Sequence, residues 1–129
     1  MPAQTSLLSQ GQFFGQNNIE IEELVLGAFV NFPESYYQVA DQLSIEEFSS
    51  QETRYIYTAI KEVASVSKID IATVTDKLIQ KKYDTILSNK TGFNLLSYLN
   101  DICSQIETDA HLTEHVKLLN GYAQRRALL

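Results

Sequence analysis

The chain has 129 residues, 44% of them hydrophobic and 20% charged, with a formal net charge of −6 and a pI of about 4.8. That length supports one domain with a tail and a real core, and the acidic balance excludes holding duplex DNA by phosphate neutralisation, which needs a basic face. The single cysteine, Cys103, excludes an internal disulfide, and with neither a signal-peptide pattern nor roughly 20 consecutive apolar residues the chain is expected in the cytoplasm.

Residues 1–16 are Gln/Ser/Gly-rich and aperiodic, which reads as a disordered arm. Asn17 with Glu20 three residues on is a variant of the capping box, opening a first helix. Glu20, Glu22 and Glu23 fall in its first turn, where the positive end of the helix dipole favours acid. Ile21, Leu24, Val25, Ala28 and Phe32 recur at helical spacing and predict one buried face. Gly27 costs that helix about 1 kcal/mol against Ala, and a glycine kept there usually lets another backbone come close. Pro33 suits the first turn of a second helix carrying Tyr36, Ala40 and Leu43. Ser44-Ile45-Glu46-Glu47 is a capping box for a short turn ending at Phe48. Ser49 to Glu52 is another, opening a longer helix with Ile56, Ala59, Ile60 and Val63 inward.

Asp70 caps the next helix, on which Ile71, Val74 and Leu78 share a face. The polar stretch from Lys81 to Lys90 reads as a loop or frayed turn. After Gly92, the residues Phe93, Leu95, Leu96, Leu99 and Ile102 predict another helix. Thr108 caps the last segment, with Leu112, Val116, Leu119 and Ala123 as its stripe, and Leu118, Tyr122, Leu128 and Leu129 as apolar surface outside it. Strand-like alternation is nowhere sustained, so the expected class is all-α, a compact bundle of about five to six helices.

Few motifs carry chemistry. His111-Leu112-Thr113-Glu114-His115 spells H-x-x-E-H, which on a helix places two imidazoles on one face with Glu114 able to activate a zinc-bound water. A zinc hydrolase also needs a third ligand and a cleft, and no partner motif supplies them. No phosphate-binding glycine loop occurs, and the Asn89-Lys90-Thr91 sequon is idle without secretion. Serine and cysteine nucleophiles lack a placed His and acid; Cys103 fits better as a small buried apolar residue. The seven tyrosines could stack single strands, but the acidic balance opposes it. The residues alone describe an acidic, helical, non-enzymatic interaction domain.

Taken in order, the segments resemble the N-terminal domain of DnaB-type replicative DNA helicases. The family opening N-I-E-x-E-x-x-V-L-G is similar to Asn18-Ile19-Glu20-Ile21-Glu22-Glu23-Leu24-Val25-Leu26-Gly27. Leu43, Glu46-Glu47-Phe48 and Ile56-Tyr57-Thr58-Ala59-Ile60 resemble L-x-x-E-D-F-Y with I-F/Y-x-A-I, and Ile69-Asp70-Ile71-Ala72-Thr73-Val74 resembles V-D-L-V-T-V. Thr91-Gly92-Phe93-Asn94-Leu95-Leu96-Ser97-Tyr98-Leu99 aligns with G-G-x-x-Y-L-x-x-L with one insertion. His115 to Leu119 and Arg125 to Leu129 resemble the ending Y-A-R-I-V and R-R-L-I. The likeness runs over residues 17–129. It departs at Gln16 for a proline, Ser49 for a tyrosine, Thr53 for a histidine and Thr91 for the first of two glycines.

The resemblance implies a globular head over 17–106 and, over 107–129, the first helix of a C-terminal hairpin. It implies a fragment, with a RecA-like motor and its phosphate loop following Leu129, and with ATP and Mg2+ as cofactors of the parent helicase and none here. It implies a collar in which heads pair as a trimer of dimers, with the primase C-terminal domain and a helicase loader as partners. Glu20, Tyr98 and Leu129 match positions near the primase contact, and Leu112, Val116, Leu119 and Tyr122 are the expected dimerisation residues on the last helix. The competing readings are the helicase-binding C-terminal domain of a primase and the zinc hydrolase through His111, Glu114 and His115; the position of Asn18-Ile19-Glu20 near the start favours the helicase.

Overall fold

A computed structural model describes residues 18–128. The chain forms α1 (Ile19–Asn31), α2 (Pro33–Val39), α3 (Gln51–Val66), α4 (Ile71–Gln80), α5 (Tyr83–Thr91), α6 (Leu95–Ser104) and α7 (Leu112–Ala127), with 3-10 turns at Ala40–Gln42 and Ile45–Glu47. The described residues contain no strand, so the all-α expectation holds. No helix among them is long and apolar enough to cross a membrane.

α1 is the centre of the bundle, touching α2, α3, α4, α6 and α7. That position changes its expected character. Ile21, Val25 and Ala28 are buried as predicted, but so are Glu22, Glu23, Leu26, Phe29 and Val30, so the helix is enclosed on nearly every side and has no solvent face in its middle. A helix apolar all round belongs inside a bundle. Gly27 is used for close approach, though to side chains and not to a backbone. A Cβ there would overlap Ile106 Cγ1 and meet Ile102 Cγ2 at 3.0 Å. Asn31 pins the same region, its Nδ2 donating to the Cys103 carbonyl at 2.8 Å and the Ile106 carbonyl at 2.9 Å.

Several caps fall where expected. Ser44 N–H donates to Glu47 Oε1 at 2.7 Å, and Asp70 Oδ1 accepts from Thr73 N–H at 2.8 Å while Thr73 Oγ1 receives the Asp70 N–H at 3.0 Å. Others move. Asn17 and the arm 1–16 lie outside the described residues, and Asn18 occupies the N-cap position of α1 without capping it through its side chain. Ser50, not Ser49, caps α3, accepting the Thr53 N–H at 3.1 Å. Thr108 closes a turn on Ala110 N–H at 3.1 Å, and α7 starts only at Leu112. The stretch expected as a loop from Lys81 to Lys90 is mostly helix. Lys82 takes a left-handed conformation (φ 63°) that ends the α4 direction, and Gly92 (φ 77°) terminates α5. Only Leu87 of α5 is buried, so one anchor carried too little periodicity to show in the sequence.

α7 packs on α1, α2 and the Ile45–Glu47 turn, where Arg126 Nη2 donates to the carbonyls of Glu46 (2.9 Å) and Glu47 (3.2 Å). It is therefore a layer of the same core that holds Phe29, Phe48, Tyr57, Leu99 and Leu119.

Candidate docking surface

Where α1 begins, the chain gathers its acid. Glu22 is fully buried, and four donors close on it: Asn18 Nδ2 (2.8 Å), Ser49 N–H (3.0 Å) and Ser49 Oγ (2.6 Å) on Oε2, and Thr53 Oγ1 (2.6 Å) on Oε1. Burial raises its carboxyl above the usual value, against these hydrogen bonds and the more distant charge of Arg126. Asn18 belongs to the start of α1 itself, while Ser49 and Thr53 come from the α2–α3 connection and the first turn of α3, so this carboxylate ties the start of α1 to the start of α3. Ser49 and Thr53 are two of the positions at which the sequence departs from the family pattern, and their hydroxyls are what the carboxylate uses.

Glu23 turns the other way, toward α6. Tyr98 Oη donates to Glu23 Oε2 at 2.8 Å, and the Tyr98 ring meets Phe93 edge-on at 5.3 Å. Burial, then the neighbouring Glu23 carboxylate, holds the Tyr98 hydroxyl well above the ordinary tyrosine range, so it stays a neutral donor. Glu20 is half-buried beside this pair, and its carboxyl is raised first by burial and then by the charge of Glu23. Glu23 therefore interacts with both expected residues, by a hydrogen bond with Tyr98 and by charge with Glu20. The third residue expected there, Leu129, lies outside the described residues. A partly buried tyrosine fixed by a carboxylate can bind a partner by apolar contact and charge.

The expected dimerisation residues lie elsewhere. Leu112 (5% exposed), Val116 (0%), Leu119 (0%) and Tyr122 (7%) all face the chain's own core. Tyr122 was expected outside the stripe and is part of it. Among the described residues, the large apolar side chains exposed on α7 and at its C-cap are Leu118 and Leu128. Gly121 on the same helix has open space around it. At the start of α7, Glu114 Oε1 lies 3.8 Å from His111 Nδ1, and the His111 and His115 rings stand 6.2 Å apart. Among the described residues no group of three His, Cys, Asp or Glu side chains is placed to hold a metal ion. Cys103 is buried, and burial pushes its thiol up to about 11, consistent with an apolar core role.

Sequence reasoning missed Asn18, Ser49, Thr53 and Asn31 as the polar partners of the core. The only available signal was that Ser49 and Thr53 replaced larger residues in the family pattern; burial of Glu22 has no local signature.

Residues 15–121 match the DnaB-like helicase N-terminal domain family. The chain is also similar to the replicative DNA helicase DnaC of Bacillus subtilis (strain 168), at 28% identity over 113 residues, covering 87% of this chain and 24% of that protein. The chain therefore spans about a quarter of the length of the curated relative it matches.

Proposed function

The chain belongs to the DnaB-like helicase N-terminal domain family, and we propose that it acts as the collar domain of a hexameric replicative DNA helicase. In this reading two heads pair through the outer face of α7, three pairs form the collar, and the surface around Glu20 and Tyr98 docks the C-terminal domain of primase, with a helicase loader as a further partner. Unwinding of duplex DNA, with ATP and Mg2+, belongs to the remainder of the parent helicase, and this domain neither turns over nucleotide nor holds duplex DNA. The observation that carries the reading is the family match over residues 15–121. The meeting of α1 and α6 through Glu23 and Tyr98 supports a preformed docking site, and Leu118 on α7 with Leu128 at its C-cap supports pairing, since exposed apolar surface marks interfaces.

Calorimetric titration of the chain with the C-terminal domain of the primase from the same genome tests the docking step. Saturable binding is expected, weakened by Glu20→Lys without loss of helical circular dichroism. Absence of binding at roughly 100 µM, where association is worth less than about 6 kcal/mol, would overturn it.

A further inference from the structure

α1 carries an orientation problem. Its C-terminal half is registered by shape, because Gly27 admits Ile106 and Ile102 where a Cβ would overlap them. Its N-terminal half has no such notch. Ile21, Leu24 and Val25 are aliphatic and similar in size, and they pack into the common apolar core. Apolar packing between such surfaces tolerates a turn of the helix about its axis, since it is non-directional. Hydrogen bonds are directional, and this half of α1 has two buried carboxylates next to each other in sequence, about 100° apart around the helix. Glu22 reaches α3 through Ser49 and Thr53, and Glu23 reaches α6 through Tyr98. Glu20 is three residues before Glu23 and so lies beside it on the helix surface.

We propose that Glu22 is the positioning residue of the docking surface: the cage of three donors it meets on Ser49 and Thr53 sets the rotation of the N-terminal half of α1, and that rotation aims Glu23 at Tyr98 and Glu20 at the partner. This rests on the docking reading above for its functional consequence, and on the geometry alone for its structural one. Burying a carboxylate away from any paired cation is costly, and an apolar residue of similar size often serves stability as well or better. What an apolar residue does not supply is a fixed direction. A single buried polar group that sets register at the expense of stability is the best attested use of such groups. Glu22 does not touch the partner; it acts through α1.

The test separates direction from stability. In a Glu22→Leu/Thr53→Val chain the carboxylate and its innermost donor are replaced together by apolar groups. It is expected to fold with undiminished thermal stability, to lose the slowly exchanging hydroxyl-proton resonance that Tyr98 owes to Glu23, and to bind the primase C-terminal domain at least about tenfold more weakly, while Glu22→Gln, which can keep the cage, stays within about twofold of wild type. A folded Leu/Val chain with the Tyr98 resonance and the affinity intact would overturn the proposal. If that chain does not fold, Ser49→Ala takes its place, since Ser49 is at the exposed edge of the cage; it is expected to weaken the Tyr98 resonance, and an unchanged resonance would overturn the proposal equally. Should the wild-type chain fail to bind the primase domain, the docking reading falls while the Tyr98 resonance still decides what Glu22 does.

Discussion

Gly27→Ala adds one methyl group at the most crowded point of the bundle. On an exposed helix the change would stabilise by about 1 kcal/mol, through helix propensity and a less flexible unfolded chain. Here the new Cβ would overlap Ile106 Cγ1 and press on Ile102 Cγ2. Relief by moving Ile106 is restricted, because Asn31 holds the carbonyls of Cys103 and Ile106 at 2.8 and 2.9 Å. Overpacking of this kind costs about 1–3 kcal/mol, so the net loss should lie between about 0 and 2 kcal/mol, up to several degrees in Tm for a domain of about this size. Urea titrations of wild type, Gly27→Ala, Ile106→Ala and the double variant measure the coupling. Ile106→Ala alone should cost about 2–5 kcal/mol through its cavity, and the double variant should be more stable than the sum of the single effects by about 1 kcal/mol or more. A Gly27→Ala chain as stable as wild type, with additive effects in the cycle, would refute the idea that the glycine exists to admit Ile106.

Three further outcomes follow from the same geometry. Burial raises the Glu22 carboxyl above its ordinary 4.5, so the folded chain binds that proton more tightly than the unfolded one, and its contribution to stability falls as pH rises from 4.5 through the raised value. The stability of wild type relative to Glu22→Gln should therefore decline over that window and then level off; a relative gain with pH would show that the four donors outweigh burial. Lys82 sits at φ 63° without being glycine, so Lys82→Gly should raise stability by about 0.5–1 kcal/mol, and a loss of that size in urea melts would mean the lysine side chain is needed there. Leu118, 41% exposed, and Leu119, fully buried, are neighbours on α7. Leu118→Asp should keep its circular dichroism and abolish self-association in sedimentation, whereas Leu119→Asp should unfold the chain at a cost above about 4 kcal/mol; association that survives Leu118→Asp would place pairing on another surface.

The helices were legible because their signals are local. The Asp70 cap, Ser44 with Glu47 and the apolar spacing of Ile56, Ala59, Ile60 and Val63 each lie within a turn or two, and all appear as read. The order of such segments also carried the family resemblance, which the family match over residues 15–121 bears out. Local reading failed where a residue answers to something distant in sequence. α5 is held by Leu87 and by the stacking of Tyr83 on Tyr55 at 4.0 Å between ring centroids, a contact between two helices that neither segment announces.

Tertiary structure alone decided the fate of the opening acid. Glu20, Glu22 and Glu23 look alike in sequence, three carboxylates suited to the first turn of a helix. The fold puts α1 in the middle of the bundle, and that leaves Glu20 half-buried, encloses Glu22 among Asn18 and the Ser49 and Thr53 donors at the α3 start, and hands Glu23 to a tyrosine on α6. It likewise turns Leu112, Val116, Leu119 and Tyr122 into core and leaves Leu118 and Leu128 for contact. Sequence specifies which groups a helix carries and at what angle around its axis. Which of those groups meets water, a donor or another subunit depends on the neighbours at each angle, and those come from segments tens of residues away.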